Sequence, residues 1–95
     1  TWTDSLANYG TGFCYGSILK NNNKIFLNNF CEFTDSEENS FWSKAERSSL
    51  DLEAGLGKQE FIKSSDKYKF LLNKDCKYAV SFFQKNNFLV ELKCN

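Results

Sequence analysis

Four cysteines, Cys14, Cys31, Cys76 and Cys94, in a 95-residue chain without a single histidine constrain this sequence more than any other feature. An even number of cysteines in so short a chain fits a pair of disulfides formed in an oxidising compartment. A zinc site is the competing use, but no two cysteines are two to four residues apart and imidazole ligands are missing. Ninety-five residues give one core and no more. The expectation is therefore a single disulfide-stapled secreted domain over residues 1–95. Thr1-Trp2-Thr3, without an initiating Met, reads as a mature product whose signal peptide has been cut away.

Spacing orders the possible connectivities without settling them. Cys14 and Cys31 flank Asn21-Asn22-Asn23, and Cys76 and Cys94 flank Gln84-Lys85-Asn86-Asn87. Pairing within each couple closes two hairpin-like units, and loops of this size contribute roughly 3 kcal/mol in the chain-entropy model. The nested alternative, Cys14 with Cys94 and Cys31 with Cys76, would tie the chain ends together. Local pairing is favoured.

Trp2, Leu6, Tyr9 and Phe13 recur at helical intervals, with Thr3 or Asp4 able to cap the start and Gly10 and Gly12 weakening the run. Phe26, Phe30 and Phe33 repeat that spacing. Thr34-Asp35-Ser36-Glu37 has the form of a capping box opening a helix that carries Phe41, Trp42 and Ala45. Leu50, Leu52, Ala54 and Leu56 alternate as a strand would, but their composition favours a helix stopped at Gly57. Ser64-Ser65-Asp66 looks like a further helix start with Tyr68, Leu71 and Leu72 pointing inward. No internal repeat stands out. The fold expected is mainly α, a compact small helical domain with two disulfides. The alternative is α+β with a C-terminal β-hairpin over residues 77–94, where Tyr78, Val80 and Phe82 alternate, as do Phe88, Val90 and Leu92.

Without histidine, Ser-His-Asp and Cys-His catalysis and the usual zinc hydrolases are excluded, and oxidised cysteines remove the thiolate nucleophile. A carboxylate glycosidase would draw on Glu32, Asp35, Glu37 and Glu38, yet their clustering suits a helix cap better. The same acids lack the calcium-loop pattern. No cofactor or metal is expected, and the chain reads as a non-enzyme. Zero net charge and a single Arg disfavour nucleic acid. Membrane attachment has no apolar span or lipidation motif behind it. Charge is nevertheless uneven: residues 1–57 carry a net −4 and residues 58–95 a net +4. Such a dipole can steer a charged partner, although self-neutralisation of the two halves is the blander explanation.

In size, in half-cystines at 14, 31, 76 and 94, in its wealth of Phe, Asn and Lys and its lack of His, Met and Pro, the whole chain resembles the small salivary proteins of blood-feeding sand flies, their anti-complement type in particular. The resemblance implies a secreted, monomeric inhibitor of the classical complement pathway that meets a host plasma protein by protein–protein contact. The contact surface expected from the residues is Glu32, Phe33, Asp35, Glu37, Glu38, Phe41 and Trp42, because aromatics favour interface centres and nearby charge speeds encounter. The opposing reading makes those aromatics core and those acids caps. A carrier of a small apolar ligand inside a Phe-rich shell is the alternative function.

Overall fold

The computed structural model describes residues 1–21, 24–49, 54–83 and 87–95. It is a β protein. Seven antiparallel strands follow one another as a meander, each hydrogen-bonded to the next in chain order, and the sheet curls into a half-barrel. The strands are β1 (Trp2–Thr3), β2 (Tyr9–Asn21), β3 (Lys24–Asp35), β4 (Ser40–Ser49), β5 (Ala54–Ser64), β6 (Cys76–Phe83) and β7 (Asn87–Cys94). A 3-10 helix, Asp66–Leu71, joins β5 to β6.

The mainly helical expectation is thus wrong. Residues 2–13 are not one helix but a strand, a turn and the start of a second strand. Phe26, Phe30 and Phe33 all lie on β3, and Phe41, Trp42 and Ala45 lie on β4. Leu50 and Leu52 fall outside the described residues, as do the Asn22-Asn23 and Gln84-Lys85-Asn86 positions; Ala54 and Leu56 are on a strand, β5. The hairpin over 77–94 is present as β6 and β7, within an all-β sheet rather than an α+β domain.

Period-two alternation explains the strands once their turns are known. Along β3, Cys31 and Asp35 are buried while Phe30 and Glu32 are exposed; along β4, Phe41, Ser43, Ala45 and Arg47 are buried. One face of the sheet, the inner face, therefore carries the core. Phe41, Phe61, Tyr68 and Cys76 form its centre, with Trp2, Phe33, Leu71 and Leu72 packed around them. Phe41 is the hub, with ring centroids 5.0 Å from Phe33, 5.1 Å from Trp2, 5.6 Å from Phe61 and 4.6 Å from Tyr68. Glycine makes room for rings across strands. A Cβ on Gly12 would come within 2.7 Å of its cross-strand neighbour Phe33, and one on Gly57 would collide with the ring of Tyr78 opposite it.

Two turns share one construction, and the repeat that builds them is Thr-Asp-Ser-x-x-Asn, at Thr3–Asn8 and again at Thr34–Asn39. In the first, Asp4 Oδ1 accepts the backbone N–H groups of Leu6 and Asn8, and Oδ2 accepts the Asn8 amide. In the second, Asp35 Oδ1 accepts those of Glu37 and Asn39, and Oδ2 the Asn39 amide. The fourth residue after Thr adopts a left-handed backbone each time, Ala7 at φ 66° and Glu38 at φ 68°. These are side-chain-closed hairpin turns. The two turns abut, with Ser36 N–H donating to Tyr9 O at 3.1 Å.

Both disulfides join residues directly opposite in the ladder, Cys14–Cys31 across β2 and β3 and Cys76–Cys94 across β6 and β7. The pairing is the local one.

Candidate functional site

A sheet covered on one face leaves its other face to solvent, and here that outer face is aromatic. From Tyr9 to Gly16, Tyr9, Thr11, Phe13 and Tyr15 alternate along β2 with inward Gly10, Gly12, Cys14 and Gly16, placing the large side chains outside and the small ones within; beyond Gly16 the size pattern breaks, with Ser17 on the outer parity and Ile18 on the inner. The register lines Phe13 up with Glu32, Trp42 and Lys63, and Tyr15 with Phe30, Lys44 and Glu60. Register shifts between Trp42 and Ser43, where β5 carries an extra residue. Phe61 thereby turns inward while Ile62 and Lys63 both remain exposed.

These residues border a half-open groove of about 330 Å³ walled by Phe13, Tyr15, Phe30, Trp42 and Ile62, with Glu32 and Lys63 at hand. Tyr15 stacks on Phe30 at 6.1 Å and lies 6.5 Å from Phe13. Lys63 Nζ sits 4.9 Å above the Trp42 ring, a cation–π contact. Phe13 is 71% exposed and Tyr15 66%. Single exposed apolar residues are ordinary; a contiguous aromatic strip is the mark of a contact surface.

The acidic stretch foreseen as the contact surface does not form one surface. Glu32 and Trp42 belong to the outer aromatic face. Phe33 and Phe41 are stacked in the inner core. Glu37 and Glu38 are exposed in the turn between β3 and β4. Asp35 is buried there and saturated. Besides the turn amides, Lys67 Nζ donates to its Oδ2 at 2.8 Å and the Tyr68 hydroxyl at 2.6 Å. Burial opposes ionisation of Asp35, but hydrogen bonds from Lys67, Tyr68 and the backbone of Asn39 and Glu37 outweigh it and hold the carboxyl well below the usual carboxylate range. The same contact raises Lys67. Burial, and then donation to Asp35, push the Tyr68 phenol up to about 12.

This network is structural. It fastens the 3-10 helix to the β3–β4 turn, and Ser65 clamps it a second time, its Oγ accepting Ser40 N–H at 3.0 Å while its own N–H donates to Ser40 O at 2.8 Å. Ser65 is the residue before the helix, and Tyr68, Leu71 and Leu72 do point inward. Asp35 and Glu32 lie on opposite faces of β3, so this pair cannot flank one glycosidic bond. No cluster that could hold a metal ion occurs among the described residues.

Phe13, Tyr15, Phe30 and Ile62 are not among the contact residues expected from the sequence, which places Phe13 and Phe30 on helical stripes instead. The signal that finds them is the run Tyr9-Gly10-Thr11-Gly12-Phe13-Cys14-Tyr15-Gly16. Small residues every second position weaken a helix but fit a strand whose inner face meets rings and backbone of its neighbour.

Two disulfides, and the lack among the described residues of a helix long and apolar enough to cross a membrane, are compatible with an extracellular protein. Comparison of the chain with protein-family models, with curated proteins and with solved structures finds no match in any of the three.

Proposed function

We propose that this chain is a secreted binding domain that acts by protein–protein contact through the outer aromatic face of β2–β5. The partner implied by its resemblance to sand fly salivary proteins is a host plasma protein of the classical complement pathway, which the contact would inhibit. The observation that carries the binding reading is the exposed strip of Phe13, Tyr15 and Phe30 beside Trp42 and Ile62. Total exposed surface supports it: 7231 Å² is about 1,600 Å² more than the roughly 5,600 Å² of a compact 11.0 kDa monomer. A standard interface takes about 800 Å² from each partner, so the excess is about twice what one binding face needs. The disulfides support it as well, since cross-linked strands hold a surface in its binding geometry and lower the ordering cost of association.

The test is deposition of complement C4 fragments on antibody-coated plates, with the pure protein and with the variant Phe13→Ser/Tyr15→Ser/Phe30→Ser. Dose-dependent inhibition by the wild type, lost in the variant with its melting transition intact, is the expected result. Absence of inhibition by the wild type at micromolar concentration defeats the complement reading. Equal inhibition by the variant defeats the aromatic face. The carrier alternative draws less support, because two grooves lined by described residues, of about 430 and 330 Å³, are half-open to solvent, whereas a carried ligand needs most of its surface enclosed.

A further inference from the structure

The same outer face continues beyond the aromatic strip onto β5, β6 and β7, where its chemistry changes. Register sets Lys58 directly opposite Lys77, and Lys77 directly opposite Lys93. Directly opposed residues share a face, and all three lysines are exposed. Adjacent strands lie about 4.8 Å apart, so the three side chains start from a line roughly 10 Å long. Like charges placed opposite one another weaken a sheet. Among the described residues, salt bridges from lysine belong to Lys44, Lys67 and Lys69 and to none of these three. Acids border the row at its β5 end and along β7 without forming a salt bridge to it among the described residues. Glu46, opposite Lys58, and Glu60, two residues along β5, both face Lys44, at 3.8 and 3.9 Å; Glu91 lies two residues from Lys93 on β7.

We propose that Lys58, Lys77 and Lys93 form a receptor row for the sulfate groups of an extended sulfated polysaccharide. Repeated anions along a chain match a line of cations at strand spacing, and each lysine serves as a mobile point charge without the planar fork that arginine would impose. Bound sulfates would relieve the repulsion that the register builds in. A single-stranded nucleic acid fits less well, because its bases need aromatic platforms among the cations. The outward neighbours on β5 and β6 are Leu56, Ala79 and Ser81, and the rings of the outer face stand on β2–β4, beyond Glu46 and Glu60. Disulfide-bonded extracellular proteins also meet such polysaccharides directly. The proposal is independent of the complement reading and uses different strands.

Heparin is the probe. Affinity for immobilised heparin is measured across a salt series for the wild type, for Lys58→Gln/Lys77→Gln/Lys93→Gln, and for Lys20→Gln/Lys63→Gln/Lys69→Gln, which removes the same charge elsewhere. The expected result is salt-sensitive binding that falls at least about tenfold in the row variant and by less than about threefold in the control. The row variant should melt no lower than the wild type, which separates lost binding from lost folding. No binding at low salt, or equal losses in the two triple variants, would overturn the proposal. Tighter binding to single-stranded DNA of matched charge than to heparin would overturn it in favour of nucleic acid.

Discussion

Replacing Phe41 by Ala tests the assignment of faces, provided that Phe13→Ala is measured beside it. Phe41 is 6% exposed and contacts four aromatic rings with centroids between 4.6 and 5.6 Å away. Truncating a buried Phe costs about 3–5 kcal/mol through lost transfer energy and the cavity left behind. The ring contacts add to this, since a well-oriented aromatic pair contributes about 0.5–1.5 kcal/mol beyond its buried area. Partial collapse subtracts, because Trp2 sits on a strand of two residues and has room to settle into the gap. About 4 kcal/mol is the balance, against a total stability of roughly 5–15 kcal/mol for a domain of this kind. Phe13, 71% exposed, should cost no more than about 0.5 kcal/mol. The assay is thermal and urea unfolding of the oxidised proteins. Phe41→Ala is expected to lower the midpoint by roughly 15–30 °C and Phe13→Ala by a few degrees at most. A helical arrangement with Trp2, Leu6, Tyr9 and Phe13 on one apolar stripe demands a large loss at Phe13 as well. Comparable losses at the two sites, or a loss below about 1.5 kcal/mol at Phe41, would refute the packing argument.

Three further outcomes follow from the geometry. Asp35 ionises more readily folded than unfolded, so its contribution is present above the ordinary carboxylate value of 3.8 and fades as pH falls through the depressed folded value; the midpoint of Asp35→Asn should therefore vary less than the wild type's between about pH 5 and pH 2. The Tyr68 phenol is raised from 10.0 to about 12, so its contribution is intact below pH 10 and is lost as pH climbs towards 12; Tyr68→Phe should flatten that alkaline limb in the same melting series, and an unchanged slope counts against the Asp35 contact. Gly57→Ala should destabilise by about 1–3 kcal/mol, an overpacking cost, because its methyl meets the Tyr78 ring; a neutral result in urea unfolding would show that Tyr78 turns aside freely.

What could be read from the residues alone was what depends on short range. The local cysteine pairing was legible because each couple brackets one turn, at separations of 17 and 18 residues. The start at Ser65 and the inward Tyr68, Leu71 and Leu72 were legible for the same reason, although a six-residue 3-10 helix is the only helix among the described residues. The strands were hidden by two coincidences. Capping boxes and the Asp4 and Asp35 turns use the same bond, a side-chain oxygen accepting nearby backbone N–H groups, so the turn at Thr34–Asn39 passed for a helix start. Aromatics on both faces of β3, Phe30 outward and Phe33 inward, erased the period-two signal. The repeated Thr-Asp-Ser-x-x-Asn was present in the chain and went unnoticed. So did the alternation of glycine with aromatics along β2, the one local sign of the outer face. Proximity of Phe13 to Phe30 depends on register, which the turns set and which no window of neighbouring residues reveals.

Hydroxyl-radical footprinting, resolved peptide by peptide, asks most directly whether a single sheet divides its rings between a sealed side and a bare one. Rapid modification of Phe13, Tyr15 and Phe30 beside strong protection of Phe41, Phe61 and Tyr68 is the pattern required. Similar rates for the two sets, or protection of Phe13 and Tyr15 in the isolated protein, would contradict it.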